Sequence, residues 1–549
     1  MIKLTQLING IHVHKVIIME KEVWQAAHQY SPQKIALALH VLEQIRHGSD
    51  VTDALRQNPL PNGGYLGKNT LVAAYQQMVS SGLWKDDPEL LARIRLKPIR
   101  TLSGVTTVTV LTKPYPCPAK CIFCPTEQDM PKSYIADEPG ARRAVENNFD
   151  PFDQVTSRVE ALASVGHPTD KIELLILGGT WSAYRKDYQE WFIKRCFDAL
   201  NQTESNNLEQ AFRINENAAH RNVGLVIETR PDEITPQEIA WLRRLGVTKV
   251  QMGAQSFDDT ILELNQRGHT VAQTLKAVAL LRAAGFKIVL HWMPNLLGAT
   301  LESDRNDFKR MWEGFCPDEI KIYPTQLLEH TQLYQIWQAG GYQPYTTQEL
   351  IQLIADLKPN IPRYCRVNRI IRDIPSTYVV DGNKVTSLRQ NVHRELQKRG
   401  TKCSCIRCRE IGNKPVDETQ LFRQEIIYPA AYAEEHFLSY NTKDDHLVGF
   451  LRLSLPLPDA PKVGIEELEG AALIREVHVY GQSLEVGKDL PGAAQHIGLG
   501  SRLINWAEQI AAQRGFRKMA VISAVGTRQY YLNRGFTRGK LYMLKDIKQ

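Results

Sequence analysis

Cys117, Cys121 and Cys124 stand in a C-x3-C-x2-C spacing inside the stretch Lys113-Pro114-Tyr115-Pro116-Cys117-Pro118-Ala119-Lys120-Cys121-Ile122-Phe123-Cys124-Pro125. Three thiolates on one tight loop can hold three irons of a 4Fe-4S cubane, because soft sulfur suits iron–sulfur chemistry. The fourth iron is then left without a protein ligand. An open iron can bind a substrate molecule and reduce it, where a fully ligated cluster only passes electrons on. An odd number of clustered cysteines does not make a disulfide framework. A zinc knuckle lacking its fourth ligand is the competing reading, but the residues that follow fit a barrel and not a small zinc module.

A second group, Cys403-Ser404-Cys405-Ile406-Arg407-Cys408, lies in a basic stretch. Its spacing suits a tetrahedral thiolate site, and structural zinc fits a connector better than a second redox cluster. Cys365 and His393 are the candidates for a fourth ligand. Cys196, Cys316 and Cys365 stand singly, so the nine cysteines read as metal ligands in a reducing, cytoplasmic setting.

These groups need elements to hold them. Residues 106–112, 172–177, 223–228, 249–255, 287–292 and 319–324 are short runs rich in β-branched or apolar residues, separated by helix-length segments such as 236–245, 271–284 and 301–315. Six βα units in sequence predict a parallel, right-handed, curved sheet, a partial (βα)6 barrel short of the eight units that close one. The cysteine loop follows the first strand, on the C-terminal face where βα loops carry chemistry. Gly178-Gly179-Thr180, Glu228, Gln255, His291 and Lys321-Ile322-Tyr323 fall at the other strand ends.

The remaining stretches divide the chain further. Residues 1–95 read as a small helical domain, with helices at 21–30, 32–48, 69–80 and 88–95. The barrel takes 96–390, a basic zinc-binding connector 391–425, and a last domain 426–549. Arg363, Arg366, Arg369 and Arg372 recur every three residues, and Arg389, His393, Arg394, Lys398, Arg399, Lys402, Arg407 and Arg409 continue the theme. With few acidic residues nearby, this reads as a phosphate-tracking surface for nucleic acid. In the last domain, Gln495-His496-Ile497-Gly498-Leu499-Gly500-Ser501 opens a helix after a strand. Such a loop leaves backbone N–H groups free at a helix N-terminus, where a pyrophosphate binds. Arg528-Gln529-Tyr530-Tyr531 with Arg534-Gly535-Phe536 follows as a short helix and its exit.

Bulk properties set wide limits. The chain has 549 residues, 23% charged and 43% hydrophobic, with a net charge of +7. That permits an anionic partner without requiring one. No apolar run reaches the roughly 20 residues that span a bilayer, so no membrane partner is expected.

The cysteine loop with its preceding aromatic resembles the signature of the radical S-adenosylmethionine superfamily, which shares the partial barrel. The resemblance implies a 4Fe-4S cluster on Cys117, Cys121 and Cys124, with S-adenosylmethionine chelating the open iron and held by Gly178, Gly179, Glu228 and Gln255. The glycine loop and tyrosine helix resemble the GNAT acetyltransferases, whose pyrophosphate belongs to acetyl-CoA. Both motif sets in one chain are similar to the family of tRNA wobble-uridine acetyltransferases that includes Elongator's catalytic subunit. The similarity runs from Lys97-Pro98-Ile99-Arg100 to the C-terminus. It implies acetyl-CoA contacts at Lys171, Glu476, Val477, His478, Val479, Leu499, Gly500, Ser501 and Tyr531, and therefore a site shared between domains. It also implies radical chemistry that leaves a carboxymethyl group on carbon-5 of the wobble uridine, in the anticodon stem-loop of tRNA. Lys321, Tyr323 and Tyr531 are the candidate catalytic residues. The compact cysteine spacing implies a prokaryotic, stand-alone form needing no obligate Elongator-type complex and leaves a homodimer open. Two rival readings are a lysine (histone-type) acetyltransferase with a merely structural radical domain, and a non-catalytic tRNA-binding scaffold. The basic stretch counts against the first, since histone tails are themselves cationic.

Overall fold

The computed structural model describes residues 30–61, 63–101, 103–412, 414–481 and 498–548. They form two compact units. One takes in the described residues up to Thr101 together with Ser157–Thr169, and the other Leu102–Thr156 and Asp170–Gln549.

The first unit contains the helices Pro32–Arg46, Val51–Gln57, Lys68–Ser80 and Pro88–Ile94. Ser31, Asp50 and Asp87 cap three of them, each side chain accepting a first-turn backbone N–H. Ala38, Val41, Leu42 and Ile45 share one helix face and pack with Leu71, Val72, Tyr75, Leu90 and Ile94. The helix expected at 21–30 lies outside the described residues except for Tyr30.

The second unit is built on two sheets. The first has strands β1 (Thr106–Leu111), β2 (Lys171–Leu177), β3 (Arg221–Thr229), β4 (Lys249–Gln255), β5 (Lys287–Trp292), β6 (Glu319–Ile322) and β7 (Arg366–Ile370). They pair in sequence order and every pair is parallel. The sheet therefore has seven strands, one more than the sequence pattern predicts. Arg-Val-Asn-Arg-Ile does not alternate, since its buried Val367 and Ile370 stand three apart across a register shift in the pairing with β6, and its arginines belong to the every-third-residue run that reads as a charged surface.

Ile172, Leu174 and Ile176 of β2 are buried, while Lys171, Glu173, Leu175 and Leu177 between them are half-exposed. This period-2 alternation separates a buried outer face from a half-exposed inner face, whose C-terminal end, Leu111 and Leu177, packs against Ala141 and Ala144. On β1 the same inner register carries Thr107 and Thr109, opposite Glu173 and Leu175. β4 to β6 are almost wholly buried.

The second sheet comprises β8 (Phe422–Ala430), β9 (Ala433–Asn441), β10 (Leu447–Pro456), β11 (Ala471–Val479), β12 (Lys518–Val521), β13 (Thr537–Arg538) and β14 (Met543–Asp546). Its order is β13-β14-β12-β11-β10-β9-β8, antiparallel except between β11 and β12. Helix Leu499–Gln513 packs on it through Leu503, Ile504, Ala507 and Ile510.

Candidate active site

The cysteine loop leaves the C-terminal end of β1. Its thiols are only partly covered. Cys121 Sγ accepts from Arg267 Nη1 at 3.5 Å, and the other arm of that guanidinium donates to the Gly253 carbonyl at 2.7 Å. Cys117 Sγ lies 3.6 Å from Thr180 Oγ1. Burial, with Cys121 beside it, pushes the Cys124 thiol up to about 11, against the pull of Lys132 and Arg372. Tyr115 stacks on Tyr184, whose hydroxyl donates to the Lys113 carbonyl at 2.8 Å and ties the loop to the end of β2.

Gly178 and Gly179, directly after β2, both have positive φ (134° and 95°). A Cβ on Gly178 would lie 1.8 Å from Thr112 Oγ1, so only a bare backbone fits there. A donor set of three free thiols, one already accepting from a guanidinium, beside a side-chain-free backbone, fits an iron–sulfur cluster with a ligand approaching it.

Behind the loop, Tyr134 and polar side chains of β3, β4, β5 and β6 meet in one largely buried chain. Tyr134 donates to Glu228 Oε2 at 3.0 Å. Glu228 Oε1 lies 3.6 Å from His291 Nδ1, and His291 Nε2 lies 3.1 Å from Gln251 Oε1, which also accepts from Lys321 Nζ. Burial, reinforced by Lys321 and Arg372, holds His291 well below its ordinary range, so the ring is neutral. Because Gln251 Oε1 is an acceptor, Nε2 carries the proton and donates it there. The Tyr323 ring meets His291 edge-on, with centroids 5.4 Å apart. Glu228, Lys321 and Tyr323 are thus brought together as the sequence pattern leads one to expect. Gln255, at the end of β4 with φ 69°, sits beside Gly253 and Arg267 instead. Tyr134, Gln251 and Arg267 complete the site, and nothing in their sequence context marks Tyr134 or Arg267 for it. Only Gln251 carries a signal, its place on a strand.

The second sheet presents its own opening. β11 pairs with β12 only through residues 471–474, then runs on to Val479 without that neighbour. Strand β12 ends at Val521, opposite Ile474, and leaves Glu476, Val477, His478 and Val479 half-exposed beyond it. Gly498 (φ 68°) starts helix Leu499–Gln513, and a Cβ on Gly500 would lie 2.2 Å from the Tyr530 hydroxyl. Ser501 Oγ accepts from Arg534 Nε at 3.0 Å, and Arg534 lies 3.5 Å over the Tyr530 ring. Tyr531 is buried against Tyr530 and Phe536. Gln495, His496 and Ile497 lie outside the described residues. Burial and Arg366 keep His478 low and neutral, with its Nε2 3.1 Å from the Ser103 carbonyl.

This opening faces the N-terminal ends of the barrel strands. Glu476 pairs with Lys287, the first residue of β5, at 3.1 Å. The Tyr480 hydroxyl accepts from Arg366, the first residue of β7, at 3.1 Å. Lys171, half-exposed, is the first residue of β2.

The basic stretch departs from its sequence reading. Arg363 pairs with Asp445, Arg366 with Glu410, Arg369 with Asp373 at 2.8 Å and Arg372 with Glu138 at 2.8 Å. Only Asp373 is a sequence neighbour, and folding delivers the other carboxylates from a distance. Arg363, Arg366 and Arg372 therefore serve mainly as internal ties, while Arg369, whose pair with Asp373 lies on the surface, joins Lys384, Arg394, Lys398 and Lys402 as the exposed cations of the stretch. The sulfurs of Cys403, Cys405 and Cys408 lie within 4.8 Å of one another, the one such ligand group among the described residues. Lys358 Nζ is 3.9 Å from Cys408 Sγ. Three close thiols beside an ammonium fit a single tetrahedral ion.

Comparison with known proteins agrees with this layout. Residues 112–310 match the radical SAM superfamily, and residues 317–398 match the radical SAM C-terminal domain. A tRNA uridine(34) acetyltransferase of Methanocaldococcus jannaschii is 44% identical, over 84% of this chain and 87% of its own. One from Dehalococcoides mccartyi is 43% identical, over 82% and 99%. Elongator complex protein 3 of Homo sapiens is 35% identical, over 84% and 87%. The solved structure of the archaeal Methanocaldococcus infernus Elp3, with an N-terminal deletion, superposes with a TM-score of 0.71 at 39% identity, over 81% of this chain and 100% of its own.

Proposed function

Since the chain belongs to the radical S-adenosylmethionine family of tRNA uridine(34) acetyltransferases and Elongator complex protein 3, we propose that it builds a carboxymethyl group onto carbon-5 of the wobble uridine of tRNA. The acetyl group comes from acetyl-CoA. When bound by Cys117, Cys121 and Cys124, a 4Fe-4S cluster supplies the electron that cleaves S-adenosylmethionine to its 5′-deoxyadenosyl radical. Hydrogen abstraction from the acetyl methyl gives a methylene radical that adds to carbon-5; the resulting carbon-6 radical gives up one electron to a one-electron acceptor and the carbon-5 proton to solvent, which restores the ring double bond, and water then hydrolyses the thioester to the carboxylate and free CoA.

The carrying observation is that one compact unit joins the cysteine loop at one mouth of a parallel half-barrel to a β11 end that runs on beyond β12 at the other. The free end of β11, the glycine-led helix and Tyr531 support a GNAT-type domain that binds acetyl-CoA along Glu476 to Val479, with the pyrophosphate at the N–H groups of Leu499 to Ser501. Lys171 supplies a cation from the barrel side. Glu476 itself is locked between Lys287 and Arg452, at 3.1 and 2.9 Å, so its side chain fixes the strand and its backbone is the part free to bind.

At the other mouth, Gly178 and Gly179 admit the amino group of S-adenosylmethionine, while Glu228 and Gln255 hold its polar groups. Lys321 and Tyr323, aligned by Gln251 and neutral His291, orient the uridine or the thioester. Zinc on Cys403, Cys405 and Cys408 pins the connector. The substrate is the anticodon stem-loop, whose unstacked bases can be turned out into a pocket.

The test is anaerobic incubation of cluster-reconstituted protein, reduced with dithionite, with tRNA, acetyl-CoA and S-adenosylmethionine, then mass spectrometry of the nucleosides. Carboxymethyl-type uridine is expected. Its absence with a confirmed cluster sinks the reading.

A further inference from the structure

Three arginines of the basic run are taken up by internal ties, yet the fold gathers other cations from segments far apart in the chain. Within the second unit, helix Leu208–Asn215, the end of helix Pro236–Arg244 and the β13–β14 hairpin enclose a cleft of about 690 Å³. Six cations line it: Arg213, Arg243, Arg244, Arg528, Arg538 and Lys540.

The carboxylates around them do not balance that charge. Glu209 pairs with Arg213, Glu190 lies 3.7 Å from Arg244, and buried Glu216 holds both Arg528 and Arg538. Glu467 is occupied by the N–H groups of Lys540 and Leu541. Lys540 is exposed and forms no ion pair among the described residues. Arg243 is only 3% exposed and has no carboxylate either. Its Nη groups donate to the Val247 and Leu541 carbonyls, the latter at 2.6 Å, and its Nε has no partner. A buried guanidinium stays charged, and its burial is costly unless an anion completes it.

Rings stand beside the cations. Trp191, 43% exposed, follows Glu190, and Arg244 lies 5.4 Å from the half-exposed Trp241 ring. Cations interleaved with accessible rings suit RNA better than a small inorganic anion.

We propose that this cleft holds a stretch of the tRNA phosphate backbone outside the anticodon loop. The proposal rests on the tRNA reading above and adds a second contact region to it. Its place on the tRNA follows from the strand geometry. Glu216, which fixes the two arginines, comes shortly before β3, whereas the uridine chemistry belongs to the C-terminal end of that strand. The nine residues of β3 span about 30 Å. A reach of that length passes the anticodon loop and enters the body of the tRNA.

The triple variant Arg213→Gln, Arg244→Gln and Lys540→Gln removes three charges from the exposed rim and leaves the Glu216 pairs intact. Such surface changes should leave the melting temperature close to that of wild type. Affinity for full-length tRNA should fall by about 10- to 100-fold at about 0.15 M salt, and the slope of log affinity against log salt should drop by roughly 2–3. The isolated anticodon stem-loop should bind both proteins alike. Unchanged affinity and slope for full-length tRNA overturn the proposal. An equal loss with the stem-loop overturns it too, because the cations would then act at the anticodon.

A second measurement uses the wild-type protein. An amine-acylating reagent should modify Lys540 in the free protein. Full-length tRNA should protect it, while the stem-loop and inorganic phosphate, at equal phosphate concentration, should not. Protection by inorganic phosphate with none by tRNA would make the cleft a small-anion site and overturn the proposal. Wild-type protein that binds tRNA through these cations yet forms no carboxymethyl uridine overturns the functional reading and leaves the cleft standing. Wild-type product, with tRNA binding unmoved by the three substitutions, overturns the cleft alone.

Discussion

Arg475 and Asp318 are both wholly buried and meet across the two sheets, Arg475 Nη1 donating to Asp318 Oδ1 at 2.8 Å while Nη2 reaches Oδ2. Arg475 lies on β11 and Asp318 directly precedes β6. Arg452 reaches the same carboxylate at 3.4 Å, and Glu435 takes the other side of Arg475 at 2.9 Å. Asp318 also accepts from the Ile288 N–H at 2.8 Å. The second sheet is thus fixed to the N-terminal end of the barrel by charges that have no water to fall back on.

Asp318→Ala leaves Arg475 and Arg452 buried with one carboxylate fewer. Removing one partner of a buried pair costs about 3–5 kcal/mol. The variant should unfold at lower denaturant than wild type by that amount. A change below about 1 kcal/mol, the size of a surface pair, would show that water enters the junction.

Arg267 offers a test at the cysteine loop. Its guanidinium places a positive charge and an N–H on Cys121 Sγ, and hydrogen bonds to cluster sulfurs favour the reduced state. Arg267→Met should bind the same iron, by metal analysis, yet show a lower cluster reduction potential in an EPR-monitored titration. An unchanged potential would mean that the Arg267–Cys121 hydrogen bond does not survive cluster binding.

The ion pairs of the basic stretch predict a split among its cations. Arg372→Ala removes the tie to Glu138 and the stacking over the Tyr134 ring, so it should lower thermal stability and leave the salt dependence of tRNA binding unchanged. Replacing exposed Arg394, Lys398 and Lys402 should act the other way. Every phosphate that these cations no longer neutralise lowers the slope of log affinity against log salt by roughly 0.7–0.9. Equal slopes in both variants would remove this stretch from the RNA interface.

What is legible in the sequence follows from the range of the interactions. The cysteine loop, the βα order, and the polar residues at the ends of β3 and β6 are local signals with fixed periods, and they lie where those periods place them. The carboxylates that neutralise Arg363, Arg366 and Arg372 lie between 44 and 234 residues away, so no local window reveals them. For the same reason β7 reads as surface. Tyr134 and Arg267 reach the site from irregular segments, where neither period 2 nor period 3.6 marks direction. The opposition of the two mouths is likewise invisible in the sequence, because it depends on which end of the barrel the second sheet covers.

Asp304 supplies a pH test. It lies on helix Leu301–Arg310, 3% exposed, and burial pushes its carboxyl up to about 7 despite N–H and O–H donors from Asn295 and Tyr345 at 2.8 and 2.9 Å. A carboxyl raised in the folded state binds its proton there while the unfolded chain has already lost it. Stability therefore falls as pH rises from about 4 to about 7. Asp304→Asn keeps an acceptor for both donors but cannot ionise. It should match or fall below wild type at pH 5 and gain on it by pH 8, by up to about 1.4 kcal/mol for every pH unit that separates ionisation in the folded and unfolded chains. Denaturant titrations at the two pH values read the difference directly, and a gap that does not change with pH would show that Asp304 ionises at its ordinary value in the folded protein.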